Sequence, residues 1–196
     1  MGDVIKGRGS TGYLPGRFEV TVSERVDDGW HGEVAEEFAD VLPRTQVREE
    51  TARSIISRNT SPDISFSQSV NPYRGCEHGC SYCFARPSHA YLGLSPGLDF
   101  ETRLFVKTNA PELLRREMAK PKYEVSPIAL GINTDAYQPI ERKLQLTRRL
   151  IEVLAETRHP FSLITKNALV TRDLDLLAPR ARDNLVRVYL SVTSLD

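Results

Sequence analysis

The chain has no apolar run approaching the roughly 18 residues of a membrane-spanning helix, and its N-terminus lacks the apolar core of a secretion signal. Both absences lead to a cytoplasmic expectation. An excess of charge is also missing, since 26 Lys and Arg offset 26 Asp and Glu. Residues 1–60 carry 8 basic and 11 acidic side chains, leaving 18 and 15 for the remainder. A surface that neutralises phosphates usually shows a basic surplus, so composition gives no reason to assign DNA or RNA as a substrate. Cysteine is scarce: three residues, an odd number and closely bunched, which excludes a disulfide framework. No repeat of fixed period and no compositionally extreme stretch is visible. What remains is an ordinary globular composition, 40% hydrophobic and 27% charged, in a chain of 196 residues that can bury one sizeable core.

The three cysteines are the most informative residues present. Cys76, Cys80 and Cys83 lie in the run Asn71-Pro-Tyr-Arg-Gly-Cys-Glu-His-Gly-Cys-Ser-Tyr-Cys-Phe. Three clustered thiols read as ligands around one metal centre. Iron–sulfur clusters are commonly held by four thiolates; three leave one metal corner open, where a cofactor or substrate can bind. Gly75 and Gly79 allow the tight loop this needs. A structural zinc site, with His78 or His89 as fourth ligand, is the competing reading. Closed zinc sites usually draw on two separated ligand pairs, and no second cysteine pair exists.

Residues 1–60 read as a partly irregular N-terminal extension, broken by glycines, with a turn-like Asp27-Asp-Gly-Trp-His-Gly stretch. Residues 33–40 are acidic and fit a short helix or solvated chain, and Trp30 fits either a docking contact or a local cluster. From 61 to 196 strands alternate with helices. Strands are predicted over 64–70, 127–135, 161–166 and 185–193, with an extra one over 103–107. Helices are predicted from Asn109 and Pro111 onward, over 139–157 and over 171–181. Such alternation implies βαβ units and a parallel sheet.

Strand parity places Ile128, Leu130 and Ile132 on one face, with Ala129, Gly131, Asn133 and Asp135 on the other. Val186, Val188, Leu190 and Val192 likewise oppose Arg187, Tyr189, Ser191 and Thr193, and Ile64, Phe66 and Val70 oppose Ser65, Ser67 and Ser69. The apolar faces are expected against outer helices and the small, polar faces toward an interior with room for a ligand. The sequence stops directly after the last of these strands, so the chain is expected to be the N-terminal part of a longer protein.

The C-x3-C-x2-C spacing, with Tyr82 just before the last cysteine, resembles the signature of the radical S-adenosylmethionine (SAM) superfamily. Together with Thr134-Asp-Ala-Tyr-Gln-Pro-Ile-Glu141 and Thr165-Lys-Asn, it is similar over residues 55–196 to the branch of spore photoproduct lyase and, more closely, to that branch's uncharacterised bacterial relatives. The resemblance implies an α/β fold: a partial (β/α) barrel, truncated here after about the fourth strand. It implies a [4Fe-4S] cluster on Cys76, Cys80 and Cys83, with Tyr82 near the adenine of SAM. Thr134, Asp135, Lys166 and Ser191 would hold the rest of SAM, Asp135 its amino group and Lys166 its carboxylate. Asp135 capping the next helix, and Lys166 pairing with Asp173 or Glu141, are the structural alternatives. The implied reaction is reductive cleavage of SAM to a 5'-deoxyadenosyl radical that abstracts hydrogen from a substrate, with a reductant such as a flavodoxin or ferredoxin as partner. The lyase donates hydrogen from a further cysteine, which this sequence lacks. Thymine-photoproduct repair is therefore an alternative, as is a non-catalytic iron–sulfur or zinc module.

Overall fold

The computed structural model describes residues 7–18 and 44–193; the expectations for Trp30 and for 33–40 lie outside them. The chain is a mixed α/β protein with two sheets and several helices. It divides into two compact units, 1–48 with 75–104, and 49–74 with 105–196. Among the described residues no helix is long and apolar enough to cross a membrane.

The unit containing 105–196 is built on a five-stranded sheet. Its strands are β2 (Ile56–Arg58), β3 (Gln68–Val70), β6 (Ile128–Leu130), β7 (Phe161–Thr165) and β8 (Val186–Leu190), in the order β2-β3-β6-β7-β8. From β3 to β8 all neighbours are parallel, in registers that set Val70 beside Leu130, Leu130 beside Leu163, and Leu163 beside Val188. Only β2 runs antiparallel to its neighbour. A second sheet has the order β1-β5-β4, from β1 (Gln46–Glu50), β5 (Arg103–Lys107) and β4 (Tyr73–Arg74), with Tyr73 opposite Val106.

Helix α2 (Ala110–Met118) carries Pro111 in its first turn, where a missing N–H costs nothing, and buries Leu113 and Leu114. These join Leu150, Ile151 and Leu154 of α4 (Leu146–Glu156) and the apolar residues of β6 and β7 in one core. Burying a Leu or Ile side chain stabilises the fold by roughly 1.5–3 kcal/mol each.

Four expectations need correction. The strand predicted over 127–135 is only Ile128–Leu130, because Gly131 at φ 74° turns the chain out of the sheet and leaves Ile132, Asn133 and Asp135 in the loop that follows. The strand predicted over 64–70 is only Gln68–Val70, because 59–67 form the connection from β2. There Asn59 donates its side-chain amide to the Phe66 carbonyl oxygen and accepts from the Ser61 N–H. The helix predicted over 139–157 is two helices, α3 (Glu141–Leu144) and α4, separated by Gln145 at φ 51°. The break lets the buried Glu141 carboxylate turn back and accept the N–H groups of Thr147 (3.0 Å) and Arg148 (3.4 Å), capping α4 from within the same sequence run. Finally, Val188, Leu190 and Val192 do not pack under helices. They are 40%, 64% and 68% exposed, and only Val186 of that face is buried. Val188 and Leu190 sit on the sheet's terminal strand and Val192 just past it, and the one α-helix between β7 and β8, α5 (Leu174–Arg182), buries Leu177 alone.

Residues 75–104 are mostly loop. They hold a 3-10 turn at Arg86–Leu92 and the five-residue helix α1 (Leu98–Thr102), every residue of which is buried.

Candidate metal and cofactor site

In the cysteine loop, backbone geometry comes first. Gly75 and Gly79 have φ of 78° and 63°, the left-handed region that side chains resist. At Gly75 a methyl group would also press on the Phe100 carbonyl oxygen at 2.9 Å. The turn at Gly75 lets the Cys76 N–H reach that same oxygen, also at 2.9 Å. Two further turns follow, Gly79 N–H to Cys76 O at 3.3 Å and Cys83 N–H to Cys80 O at 3.2 Å.

Arg86 braces the outside of this loop. Its guanidinium donates to the carbonyls of Gly79 (2.9 Å), Cys80 (2.9 Å) and Gly97 (3.0 Å), and it stacks 5.4 Å from the Phe100 ring centre. Its charge is met by Glu101 at 2.6 Å, a carboxylate with 0% exposure. Glu101 also accepts the N–H groups of Arg8 (2.6 Å) and Gly9 (3.1 Å), fastening residues 8–9 against the loop. Only glycine fits at position 9, where a Cβ would overlap the Gly79 carbonyl.

None of the three cysteines is in a disulfide. Cys76 is buried in a small apolar cluster with Ala85 and Phe100, and Cys83 packs against the same cluster. Cys80 and Cys83 are part-exposed. Tyr82 and Phe84 stand out from the loop at 68% and 76% exposure. The chemistry of this donor set fits a thiolate-held cluster with one iron open. Among the described residues no three His, Cys, Asp or Glu side chains are already grouped as ligands of one metal ion.

The other four predicted residues belong to the unit of the parallel sheet and all follow the carboxyl ends of its strands. Thr134 and Asp135 come after β6, Lys166 directly after β7 and Ser191 directly after β8. Hydrogen bonds run along this edge from strand to strand. The Asn71 side chain, just past β3, accepts the Asn133 N–H at 2.9 Å. The buried Thr134 hydroxyl donates to the Tyr73 carbonyl at 3.1 Å. Asp135 accepts from the Thr165 hydroxyl (2.6 Å), the Lys166 N–H (3.0 Å) and the Tyr137 N–H (2.8 Å). The Ser191 N–H closes the row on the Thr165 carbonyl at 2.9 Å. Gly131, at φ 74°, permits the turn; a Cβ there would meet the Ala136 nitrogen and Ile164 carbonyl oxygen. In parallel sheets this edge is where ligands are bound.

Through these bonds Asp135 ties the loop after β6 to the end of β7. Glu141 and Asp173 are salt-bridged to Arg172, and Asp173 also to Arg148. Tyr73 and Tyr137 donate their hydroxyls to Glu141 and Asp173 respectively. Burial, reinforced by the adjacent carboxylates, pushes both phenol pKa values far above the usual range, so both stay neutral donors. This buried network fixes the floor beneath the edge. Sequence reasoning quoted Asn71 and Thr165 in motifs and put Asn133 on a polar strand face without giving any of them a partner, and it missed Arg86 and Glu101. Asn71 was discoverable as a polar residue immediately past a predicted strand end. Arg86 and Glu101 gave no signal, since pairing across 15 residues of loop has no period.

No family model matches the chain, and no solved structure does. An uncharacterised protein of Mycobacterium tuberculosis is 45% identical over 133 residues, which is 68% of this chain and 39% of that protein. An uncharacterised Mycobacterium bovis protein gives the same figures. One from the archaeon Methanocaldococcus jannaschii is 34% identical over 107 residues, 55% of this chain and 38% of its own length. The matches to these curated relatives thus take in less than two-fifths of their length.

Proposed function

We propose that the chain carries the cluster-binding and SAM-binding part of a radical SAM enzyme, built as a partial (β/α) barrel. The observation that carries this reading is the cysteine loop itself: three cysteines, none in a disulfide, on one glycine-turned loop braced by a buried ion pair. Its support comes from the second feature, a parallel sheet whose carboxyl edge presents Thr134, Asp135, Lys166 and Ser191.

Cys76, Cys80 and Cys83 would hold a [4Fe-4S] cluster with one iron left for SAM. When bound, that pair supplies one-electron reductive cleavage of SAM and hence a radical able to abstract hydrogen from a substrate. The residues of the chain do the rest. Tyr82, exposed beside the last cysteine, is available to cover the adenine. Lys166 is suited to the SAM carboxylate, and Ser191 offers a hydroxyl at the next strand end. Asp135 serves this edge chiefly through Thr165 and the Lys166 backbone. A reductant such as a flavodoxin or ferredoxin would supply the electron, in the reducing cytoplasm that preserves thiolates.

Electron paramagnetic resonance on anaerobically reconstituted, dithionite-reduced protein tests the reading, with and without SAM. The expected result is a reduced [4Fe-4S] signal that changes shape on adding SAM. A colourless protein binding one zinc, or a cluster indifferent to SAM, would overturn it.

A further inference from the structure

The second sheet brings to the edge of the parallel sheet a cation that the SAM reading does not use. Lys107 ends β5 and is part-buried, and its ammonium donates to the Asn71 carbonyl at 3.0 Å. An ammonium has three N–H donors, and among the described residues no carboxylate lies within ion-pair distance of this one. Glu50, the nearest acidic influence, is taken by Arg74 at 3.1 Å. Burial pushes the Lys107 pKa below its usual value, the Arg74 charge adds to this, and Glu50 opposes it. A neutral donor could hold the Asn71 carbonyl as well. A charged group here bears a desolvation cost that one carbonyl does not offset.

Its surroundings place it at the ligand edge. Asn71, which Lys107 holds through the backbone, receives the Asn133 N–H on its side chain. The loop that begins there runs through Thr134 to Asp135, which is bonded to Thr165 and Lys166. Lys107 and Lys166 thus stand at two positions on one hydrogen-bonded row, and SAM has a single carboxylate.

We propose that Lys107 binds an anionic group of the substrate, a carboxylate or a phosphate, so that the molecule acted on is an acid or a phosphate ester. This rests on reading the edge as the SAM and substrate site, with Lys166 serving SAM.

The test is carbon-13 NMR of the purified, cluster-free protein with its lysines reductively methylated. The Lys107 signal is assigned by its loss in Lys107→Arg, which keeps the charge. Inorganic phosphate, malonate and SAM are titrated separately. The expected result is that phosphate or malonate raises the Lys107 pKa by about one pH unit or more, while Lys120 and Lys122, both exposed, do not follow. A response to phosphate alone assigns a phosphate ester, and a response to malonate alone assigns a carboxylic acid. No movement, or equal movement at Lys120 and Lys122, would overturn the proposal. So would an equal rise with SAM alone, since the anion served would then be the cofactor's. The measurement needs no cluster, so a negative paramagnetic resonance result and a negative lysine titration are separate failures.

Discussion

Glu101→Gln is expected to loosen the cysteine loop while leaving the parallel sheet intact. Glu101 is fully buried and faces three donors: the Arg86 guanidinium at 2.6 Å, the Arg8 N–H at 2.6 Å and the Gly9 N–H at 3.1 Å. A glutamine keeps one acceptor oxygen but turns an NH2 group toward donors, and it leaves the Arg86 charge without its counter-ion. Breaking a buried ion pair from one side costs about 3–5 kcal/mol. At 1.4 kcal/mol per factor of ten, local opening of the loop becomes roughly two to three and a half orders of magnitude more frequent. Amide hydrogen exchange reads this directly at Cys76, Gly79 and Cys83, whose N–H groups are bonded within the unit. Amides of Ile128–Leu130 and Phe161–Thr165 serve as the internal control and should change by less than about threefold. A companion variant, Arg86→Met with Glu101→Leu, should cost much less than the two single changes added together, because it leaves no charge behind. The reasoning is refuted if the loop amides in Glu101→Gln speed up by less than about fivefold, or if the double variant is as damaging as the sum.

Three further outcomes follow from the geometry. Gly75→Ala combines left-handed strain, about 1–2 kcal/mol, with a close approach to the Phe100 carbonyl. Gly93→Ala, at φ 67° with open space around it, should cost the strain alone, so urea unfolding should rank Gly75→Ala as clearly the worse. Asp135→Asn should lose about 1–3 kcal/mol, since its amide cannot accept from the Lys166 N–H; an unchanged urea midpoint would show that the tie between β6 and β7 is dispensable. At Asp173, burial works against the charged form, yet hydrogen bonds from Arg172, Arg148 and Tyr137 outweigh it and hold the carboxyl below its usual value. The unfolded chain, with a pKa near about 3.9, then binds the proton more readily, so this contribution is full above that pH and is lost on acidification below it. Urea midpoints between pH 6 and pH 3 should fall less steeply in Asp173→Asn than in the parent.

The fold was legible where local pattern and tertiary packing agree. Arg103–Lys107 and Phe161–Thr165 fall within about a residue of their predicted bounds, and Ala110–Met118 starts where the Asn109 and Pro111 signals put it. Alternating strands and helices announced the parallel order β3-β6-β7-β8. Failures came where a long-range polar contact overrode periodicity. The apolar spacing through Ile140, Leu144, Thr147, Ile151 and Leu154 continues across Gln145 as if one helix ran through. The buried Glu141, held by Tyr73 and Arg172 from distant parts of the chain, stops it. In β8 parity predicted one buried apolar face, but parity does not say what covers a face, and Val188 and Leu190 are exposed.

The same division governs the site. Residue types at fixed spacing, the three cysteines and their glycines, can be read from sequence because the chemistry is local to eight positions. Strand-end residues are read less completely. The sequence places Asp135 at the edge but not its partners, and three hydrogen bonds from Thr165, Lys166 and Tyr137 give it a positioning role that no motif states. Lys107 was hidden for a related reason. In sequence it is one more lysine closing a short strand, and only the fold brings it to Asn71, with no carboxylate among the described residues within ion-pair distance. A part-buried ammonium held by one carbonyl is a long-range product of the fold, which is why the substrate proposal rests on Lys107 rather than on any residue of the cysteine motif.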